Sequence, residues 1–256
     1  MTGPEIALRV AEHRDWYHRI ELAPGVVTPG THDSPAALAW LDELGLPREC
    51  ATRRVLDIGC RDGFFAFEME RRGASVLAVD YTRSDATGFA LAAELLGSRV
   101  EHRLDNVYNL KPQAYGDFDL VLFLGVVYHL RDPVRALDAI RSVCRPGGLL
   151  FVESVCEPPP ATDASLPLWR FSPRDAFRGD GTTKWVPTLP GLEAAIGDCQ
   201  FEVLASAARG ERCIVVARAV EDDEREFYRA IDSSTDVPGR PNEFWRQRAR
   251  SRRTPA

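Results

Sequence analysis

The sequence predicts a doubly wound α/β fold built on a mostly parallel sheet. Between residues 54 and 153, apolar runs typical of strands alternate with segments of helical periodicity. Such an alternation gives parallel strands joined by right-handed crossovers, with helices on both faces of the sheet. Two further β-like runs, at 201–207 and 212–219, predict a hairpin whose last strand is antiparallel to the others.

The elements follow one another in a regular order. The predicted strands are 54–58, 75–80, 100–104, 119–124 and 149–153, and the predicted helices between them are 64–72, 88–96 and 133–144. The run 119–124 is apolar after its first residue, as expected of a strand covered on both faces. Pro133 suits the first turn of its helix, and Pro146-Gly147-Gly148 is predicted to end that helix. A short helix over 192–196 precedes the hairpin.

The composition is that of an ordinary globular protein. The 256 residues include 32 basic and 38 acidic side chains, a net charge of −6, which argues against binding nucleic acid by charge alone. The apolar runs are too short for a membrane helix, and residues 1–9 lack the apolar segment of a secretory signal. The six cysteines form no C-x-x-C pair, so we expect reduced thiols. These features predict a cytoplasmic protein that does not enter membranes.

The turn after the first strand is the most informative stretch. Asp57, Gly59 and Gly63 stand in it, and Asp80 ends the next strand. Ligands of open α/β sheets bind at the carboxyl ends of strands, and glycine lets the backbone approach a ligand closely. An acid at the end of the second strand can accept both hydroxyls of a ribose. The pattern therefore predicts a nucleotide-like cofactor.

The acid in this turn helps to choose the cofactor. A dinucleotide site requires G-x-G-x-x-G, whereas here Arg61 stands between the two glycines. Asp57 would repel a pyrophosphate but would favour a ligand with an ammonium and a sulfonium group. The turn resembles motif I of the class I S-adenosylmethionine-dependent methyltransferases, which have a Rossmann-like sheet. Asp105 and Asn106 after the third strand and Asp119 at the start of the fourth strengthen this resemblance.

Further motifs narrow the resemblance. They are Trp16-Tyr17-His18, Gly25-x-x-Thr28-x-Gly30, Leu124 to Pro133 and Arg212 to Arg218. Together they resemble the family of tRNA wobble-uridine carboxymethyltransferases and related actinobacterial small-molecule methyltransferases, over residues 14 to 219. The cofactor-binding residues that the resemblance implies are His18, Asp57, Gly59, Gly63, Asp80, Tyr81, Asp105, Asn106, Leu124 and Arg212. For Asp105, a role in capping the following turn is an equal alternative.

The tRNA enzymes of this family use a carboxylated S-adenosylmethionine. The additional carboxylate of this cofactor is held by N-terminal lysines, by a tyrosine and by an arginine of the last strand. Tyr128 and Arg212 match that tyrosine and that arginine. No lysine precedes the glycine turn, and His18 stands in the place of the first lysine. A carboxylate without ammonium partners loses its strongest bonds. We therefore expect ordinary S-adenosyl-L-methionine, with Tyr128 and Arg212 contacting either the cofactor or an acidic substrate.

The resemblance also suggests catalytic residues. Methyl transfer needs positioning and, for some nucleophiles, a base. His129, next to Tyr128 after the fourth strand, is the candidate base, with a structural role as the alternative, and His18 and His32 are weaker candidates. No metal is required, and the sequence contains no cluster typical of a metal site.

Domain organisation and function complete the prediction. Residues 1–50 form an extension over the site, 51–220 the cofactor-binding domain with a substrate-side insertion at 155–190, and 221–256 a C-terminal helix and arginine-rich tail. The leading function is methylation of an oxygen or nitrogen of a small molecule, in specialised metabolism such as antibiotic biosynthesis. The alternatives are tRNA modification, suggested by the tail, and a non-catalytic cofactor-binding scaffold. The oligomeric state stays open.

Overall fold

The computed structural model describes residues 1–174 and 177–220. The strands are β1 (Glu21–Ala23), β2 (Val26–Val27), β3 (Arg54–Ile58), β4 (Ser75–Asp80), β5 (Glu101–Leu104), β6 (Phe118–Leu124), β7 (Cys144–Val155), β8 (Trp169–Phe171), β9 (Trp185–Pro187), β10 (Phe201–Arg209) and β11 (Arg212–Ala219). The α-helices are α1 (Gly3–Glu12), α2 (Ser34–Glu43), α3 (Phe64–Arg71), α4 (Phe89–Leu96), α5 (Pro112–Tyr115), α6 (Pro133–Val143) and α7 (Leu189–Asp198). The predicted C-terminal helix and arginine-rich tail, 221–256, lie outside the described residues.

Seven strands form the main sheet in the order β10-β11-β7-β6-β3-β4-β5. The pairs from β7 to β5 are parallel, whereas β11 is antiparallel to both β7 and β10. The predicted mostly parallel, doubly wound fold with an antiparallel last strand is therefore confirmed. The strand order reverses between β3 and β6, and a crevice for a ligand is expected at the carboxyl ends of these two strands.

Each face of the sheet is covered by its own set of helices. Helices α6 and α7 pack on one face, and α1, α2, α3 and α4 pack on the other. Because β6 lies between these layers, all its residues except Leu124 are buried. All six cysteines are free, buried thiols. Among the residues described, no helix is long and apolar enough to cross a membrane.

Several regions differ from the sequence-based prediction, among them α5 and the strands β8 and β9, which the sequence did not predict. The N-terminal extension contains α1, the β1–β2 hairpin and α2, for which the sequence predicted no elements. The helix α6 ends at Val143, and β7 begins at once, so that Pro146-Gly147-Gly148 lies inside the strand. The pairing shifts there from Phe118↔Cys144 to Leu120↔Leu149. The Pro-Gly-Gly sequence therefore forms an irregularity within a strand and not the separate helix stop that we predicted.

Candidate active site

The turn between β3 and α3 has an unusual backbone. Gly59, Arg61 and Gly63 all have positive φ, at +76°, +50° and +88°. A Cβ on Gly59 would lie 2.3 Å from Cγ2 of Val126, so only glycine fits there. Arg61 takes the left-handed conformation that normally favours glycine. Its substitution for the middle glycine of the motif therefore leaves the turn intact, and its guanidinium group reaches Asp15 at 2.7 Å.

Asp80 holds this turn in place from the end of β4. Its Oδ2 accepts the backbone N–H of Arg61 at 2.9 Å, and its Oδ1 accepts that of Thr82 at 2.8 Å. The residue is 5% exposed. Each carboxylate oxygen has more than one acceptor position, so Asp80 retains the capacity to accept hydroxyl groups of a ligand. The neighbouring Tyr81 is 80% exposed.

Asp57 is the acid that precedes the turn, near the carboxyl end of β3, and it forms no ion pair among the described residues. It is 2% exposed, and its Oδ2 has no hydrogen-bond partner among the described residues. Burial, followed by the nearby Asp80, raises the pKa of Asp57 to about 7. Buried charges are normally paired. The backbone of Ala66 hydrogen-bonds this carboxyl, but its free Oδ2 leaves it suited to a cationic ligand.

Asp62 joins the N-terminal extension to the turn, and sequence analysis missed it. Its Oδ2 accepts the backbone N–H groups of Tyr17 and His18 at 2.7 and 2.8 Å, and its Oδ1 accepts that of Gly88 at 3.1 Å. The side chain is fully buried. Its position between Arg61 and Gly63 in the glycine motif gave no signal of these contacts. Asp62 thus fixes the extension against the glycine turn.

His18 is a buried, neutral residue of this extension. Its Nδ1 is 4.0 Å from Oδ2 of Asp62 and makes no hydrogen bond among the described residues. Burial, followed by His32 and Arg61, lowers the pKa of His18 to about 3. The side chain of Thr28 donates to the His18 carbonyl at 2.6 Å. His18 therefore carries no positive charge with which to hold a carboxylate.

A cavity of about 360 Å³ opens at the carboxyl ends of β6 and β7. Its walls include Tyr17, His18 and His32 of the extension, Gly125 after β6, and Glu153 and Arg212 from the paired strands β7 and β11. The extension thus covers one side of the cavity, and the sheet forms the other. Leu124 lines it as well.

Tyr128 and Arg212, which the sequence singled out, lie together beside this cavity. The guanidinium group of Arg212 donates Nη1–H to the Tyr128 hydroxyl at 3.2 Å. It also binds Glu153 through two parallel hydrogen bonds. Sequence analysis did not identify Glu153, because its partner is 59 positions away on an antiparallel strand. Arg212 is therefore an already paired cation.

His129 lies on the other side of Tyr128. It ends a 3-10 turn, Val127–His129, and its ring centroid is 4.1 Å from that of Tyr128. Its Nδ1 is 3.1 Å from Oγ1 of Thr182 in the insertion. Burial lowers the pKa of His129, so the ring is neutral at pH 7.

The carboxylate of Asp105 and the amide of Asn106 order the turn after β5. Oδ1 of Asp105 accepts from the side chain of Asn109 at 2.7 Å, and its Oδ2 accepts from the hydroxyl of Tyr115. Asn106 accepts the backbone N–H of Tyr108 at 3.1 Å. Asn106, and not Asp105, is the N-cap of the turn Val107–Asn109, and the predicted cofactor role of both residues stays a prediction.

Asp119 lies at the opposite end of the parallel strands from the glycine turn. It is near the amino end of β6, where it accepts the backbone N–H of Arg54 at 2.6 Å and pairs with Arg145. It therefore joins strands and does not belong to the site with which the sequence argument grouped it.

Comparison with known proteins identifies the domain. A family model described as a methyltransferase domain matches residues 31–206, more than half of the chain. The chain belongs to the methyltransferase domain family. The predicted class I S-adenosylmethionine-dependent methyltransferase domain is thereby confirmed.

Curated relatives match only part of this methyltransferase. The ubiquinone biosynthesis O-methyltransferase of Pseudomonas aeruginosa (strain LESB58) is 31% identical over 151 residues, which are 58% of this chain and 61% of that protein. The enzyme of the same name from Acinetobacter baumannii (strain AYE) is 33% identical over 125 residues, 48% of this chain and 51% of that protein. The chain thus spans between half and three fifths of the length of these relatives.

Solved structures share the fold. The N-terminal domain of EvdMO1 with SAH bound has a TM-score of 0.62 and 23% identity, covering 86% of this chain and 98% of that domain. The 1,6-didemethyltoxoflavin-N1-methyltransferase of Burkholderia thailandensis has a TM-score of 0.54 and 22% identity, covering 73% of this chain and 77% of that one. At these identities the likeness concerns the fold.

The residues of the methyltransferase domain fit S-adenosylmethionine. The buried carboxyl of Asp57, whose Oδ2 has no hydrogen-bond partner among the described residues, suits the cationic amino group, and Asp80 has acceptor capacity for the ribose hydroxyls. Glycine is required at positions 59 and 63 because Val126, Phe67 and Phe89 pack closely against the turn. When bound, this cofactor supplies an electrophilic methyl group on a sulfonium. The residues of the chain would bind and orient the cofactor, and Tyr128 and His129 lie in the turn that follows β6.

Proposed function

We propose that the protein transfers a methyl group from S-adenosylmethionine to an oxygen or nitrogen of a small molecule, in the cytoplasm and in specialised metabolism such as antibiotic biosynthesis. The cavity at the carboxyl ends of β6 and β7 supports this function best. Its volume of about 360 Å³ lies in the range of small-molecule sites, and the extension covers it. The curated relatives are O-methyltransferases of a small molecule by name, which favours oxygen as the acceptor.

The proposal assigns a role to each part of the chain. Residues 1–50 cover the site, since Asp62 and the cavity walls connect them to the glycine turn. Residues 51–220 bind the cofactor. The insertion 155–190 lies on the substrate side, since Asp180 and Thr183 line a second cavity of about 400 Å³ next to Tyr128 and Arg212.

We propose ordinary S-adenosylmethionine and not its carboxylated form as the donor. The neutral His18 offers no charge to a second carboxylate, and Arg212 is already paired with Glu153. Mass spectrometry of the cofactor that co-purifies with the protein tests this choice. We expect S-adenosylmethionine or S-adenosylhomocysteine; recovery of the carboxylated form would instead support the tRNA enzymes as the nearest functional match.

Methyl transfer itself is tested with labelled cofactor. The protein is incubated with methyl-labelled S-adenosylmethionine and the low-molecular-weight fraction of a bacterial extract. We expect label in a small product from the wild type and none from Asp80→Ala. Cofactor binding without any labelled product in whole extract would favour the non-catalytic scaffold.

Modification of tRNA is the second candidate, because Tyr128 and Arg212 lie together as the family resemblance requires. A salt-dependent gel shift with total tRNA tests it. We expect no shift at physiological salt, and a shift accompanied by labelled tRNA would overturn the small-molecule assignment.

A further inference from the structure

Two side chains, those of Asp180 and Thr182, connect the insertion to His129. Oγ1 of Thr182 is 2.6 Å from Oδ1 of Asp180 and 3.1 Å from Nδ1 of His129. The backbone N–H of Thr182 donates to the same Oδ1 at 2.8 Å, which fixes the threonine over the carboxylate. Sequence analysis singled out His129 alone, since Thr182 is 53 positions away.

The direction of these hydrogen bonds follows from the charge on Asp180. Burial raises the pKa of Asp180, but hydrogen bonds from Thr182 and Thr183 outweigh it and bring the pKa to about 2. An ionised carboxylate only accepts, and a hydroxyl has one proton to donate. The Thr182 hydroxyl therefore donates to Asp180, and its oxygen accepts from Nδ1–H of His129.

This arrangement leaves Nε2 of His129 with its lone pair. The side-chain hydrogen bond of His129 in the described part of the chain is the one at Nδ1. Burial opposes protonation of the ring, a hydrogen bond with the backbone of Thr182 and the charge of Asp180 favour it, Arg212 and Lys184 oppose it, and Tyr128 packs against the ring. A neutral imidazole whose tautomer is fixed by a second residue is equipped to accept a proton at its free nitrogen.

We propose that Asp180 and Thr182 are positioning residues that hold His129 as the base for a substrate with a hydroxyl group. The inference rests on the proposed methyl transfer. The O–H bond breaks and its proton goes to Nε2, an oxygen lone pair forms the O–CH₃ bond, and the electrons of the S–CH₃ bond stay on sulfur. A hydroxyl gains most from such a base, whereas a neutral amine attacks with a lone pair that it already has.

Histidine NMR of the full-length protein tests the tautomer without any turnover. With ¹⁵N-labelled histidine and S-adenosylhomocysteine at pH 7, we expect His129 to be protonated at Nδ1 and bare at Nε2. Thr182→Val should give a mixture of tautomers, and Thr182→Ser should restore the wild-type spectrum. The control is Thr183→Val, which removes the other hydroxyl on Asp180 without touching His129. A wild-type ring protonated at Nε2, or a spectrum unchanged in Thr182→Val, would overturn the inference.

Transfer to the small-molecule fraction of the extract gives the second readout. We expect about tenfold slower transfer in Thr182→Val, recovery in Thr182→Ser, and about 100-fold loss in His129→Ala, the scale of a missing general base. Binding of S-adenosylhomocysteine should stay within twofold in all three. Wild-type rates in Thr182→Val would contradict the positioning role. A wild type that binds cofactor but transfers nothing would contradict the proposed function, and the NMR result would still stand.

Discussion

The carboxylate of Asp62 accepts the backbone N–H of His18 at 2.8 Å, across 44 positions of the sequence. The same carboxylate accepts from Tyr17 and from Gly88. One buried side chain of the glycine turn thus fixes both the extension over the site and the loop after β4. Asp62 therefore connects the N-terminal extension and the glycine turn into one structural unit.

We expect Asp62→Ala to loosen this unit. Three backbone N–H groups, two of them buried, would lose their acceptor, and each buried loss costs about 1–3 kcal/mol. A loss of about 3 kcal/mol in the free energy of unfolding is expected by urea denaturation. Amide hydrogen exchange at Tyr17 and His18 should accelerate. The matched control is Asp85→Ala, because Asp85 is exposed and pairs locally with Arg83. If the amides of Tyr17 and His18 were equally protected from hydrogen exchange in both variants, the role of Asp62 would be contradicted.

Asp80→Ala should abolish cofactor binding. The variant removes the acceptor for the ribose and also releases the backbone N–H of Arg61, which shapes the turn. Calorimetric titration with S-adenosylhomocysteine should show at least about 100-fold weaker binding, corresponding to about 2.7 kcal/mol. Asp80→Asn should bind between the two, since it keeps one acceptor oxygen. Wild-type affinity in Asp80→Ala would remove this residue from the cofactor site.

The sequence predicted those parts of the molecule that depend on local patterns. The alternation of strands and helices follows from periodicity, and Asp57 and Asp80 follow from their places at strand ends. Tyr128 and Arg212 were found through the family motifs, and the structure places them together. The cofactor contacts of all the predicted residues, Tyr81, Asp105 and Asn106 included, remain predictions.

The missed features are contacts between distant parts of the chain. Asp62, Glu153 and Thr182 are common polar residues in unremarkable contexts, and their roles depend on partners 44 to 59 positions away. The neutrality of His18 depends on burial by the extension, for which the sequence predicted no structure. Such properties arise from packing and have no local signature.

Asp57→Asn should stabilise the protein at neutral and higher pH. The folded state raises the pKa of Asp57 from 3.8 to about 7, so the folded protein retains a proton that the unfolded chain releases. The contribution of this group to stability is therefore lost as pH rises from about 4 to about 7, and it stays constant above. At 1.36 kcal/mol per pKa unit, the variant should gain up to about 4 kcal/mol over the wild type at pH 8 and almost nothing at pH 4. Urea denaturation at the two pH values measures this difference in the free energy of unfolding. A gain that is the same at both pH values would contradict the raised pKa of the buried Asp57 carboxyl.

The same carboxyl should make cofactor binding depend on pH. Below pH 7 the Asp57 carboxyl is largely protonated, whereas the cationic amino group of the cofactor favours its ionised form. Binding of S-adenosylhomocysteine should therefore release a proton at pH 6 and tighten about tenfold between pH 6 and pH 8. Calorimetry in two buffers of different ionisation enthalpy counts the released proton. Asp57→Asn keeps the shape of the residue without the charge, so this variant should bind S-adenosylhomocysteine weakly and independently of pH. A wild-type affinity that is constant from pH 6 to pH 8 would show that Asp57 does not face the amino group.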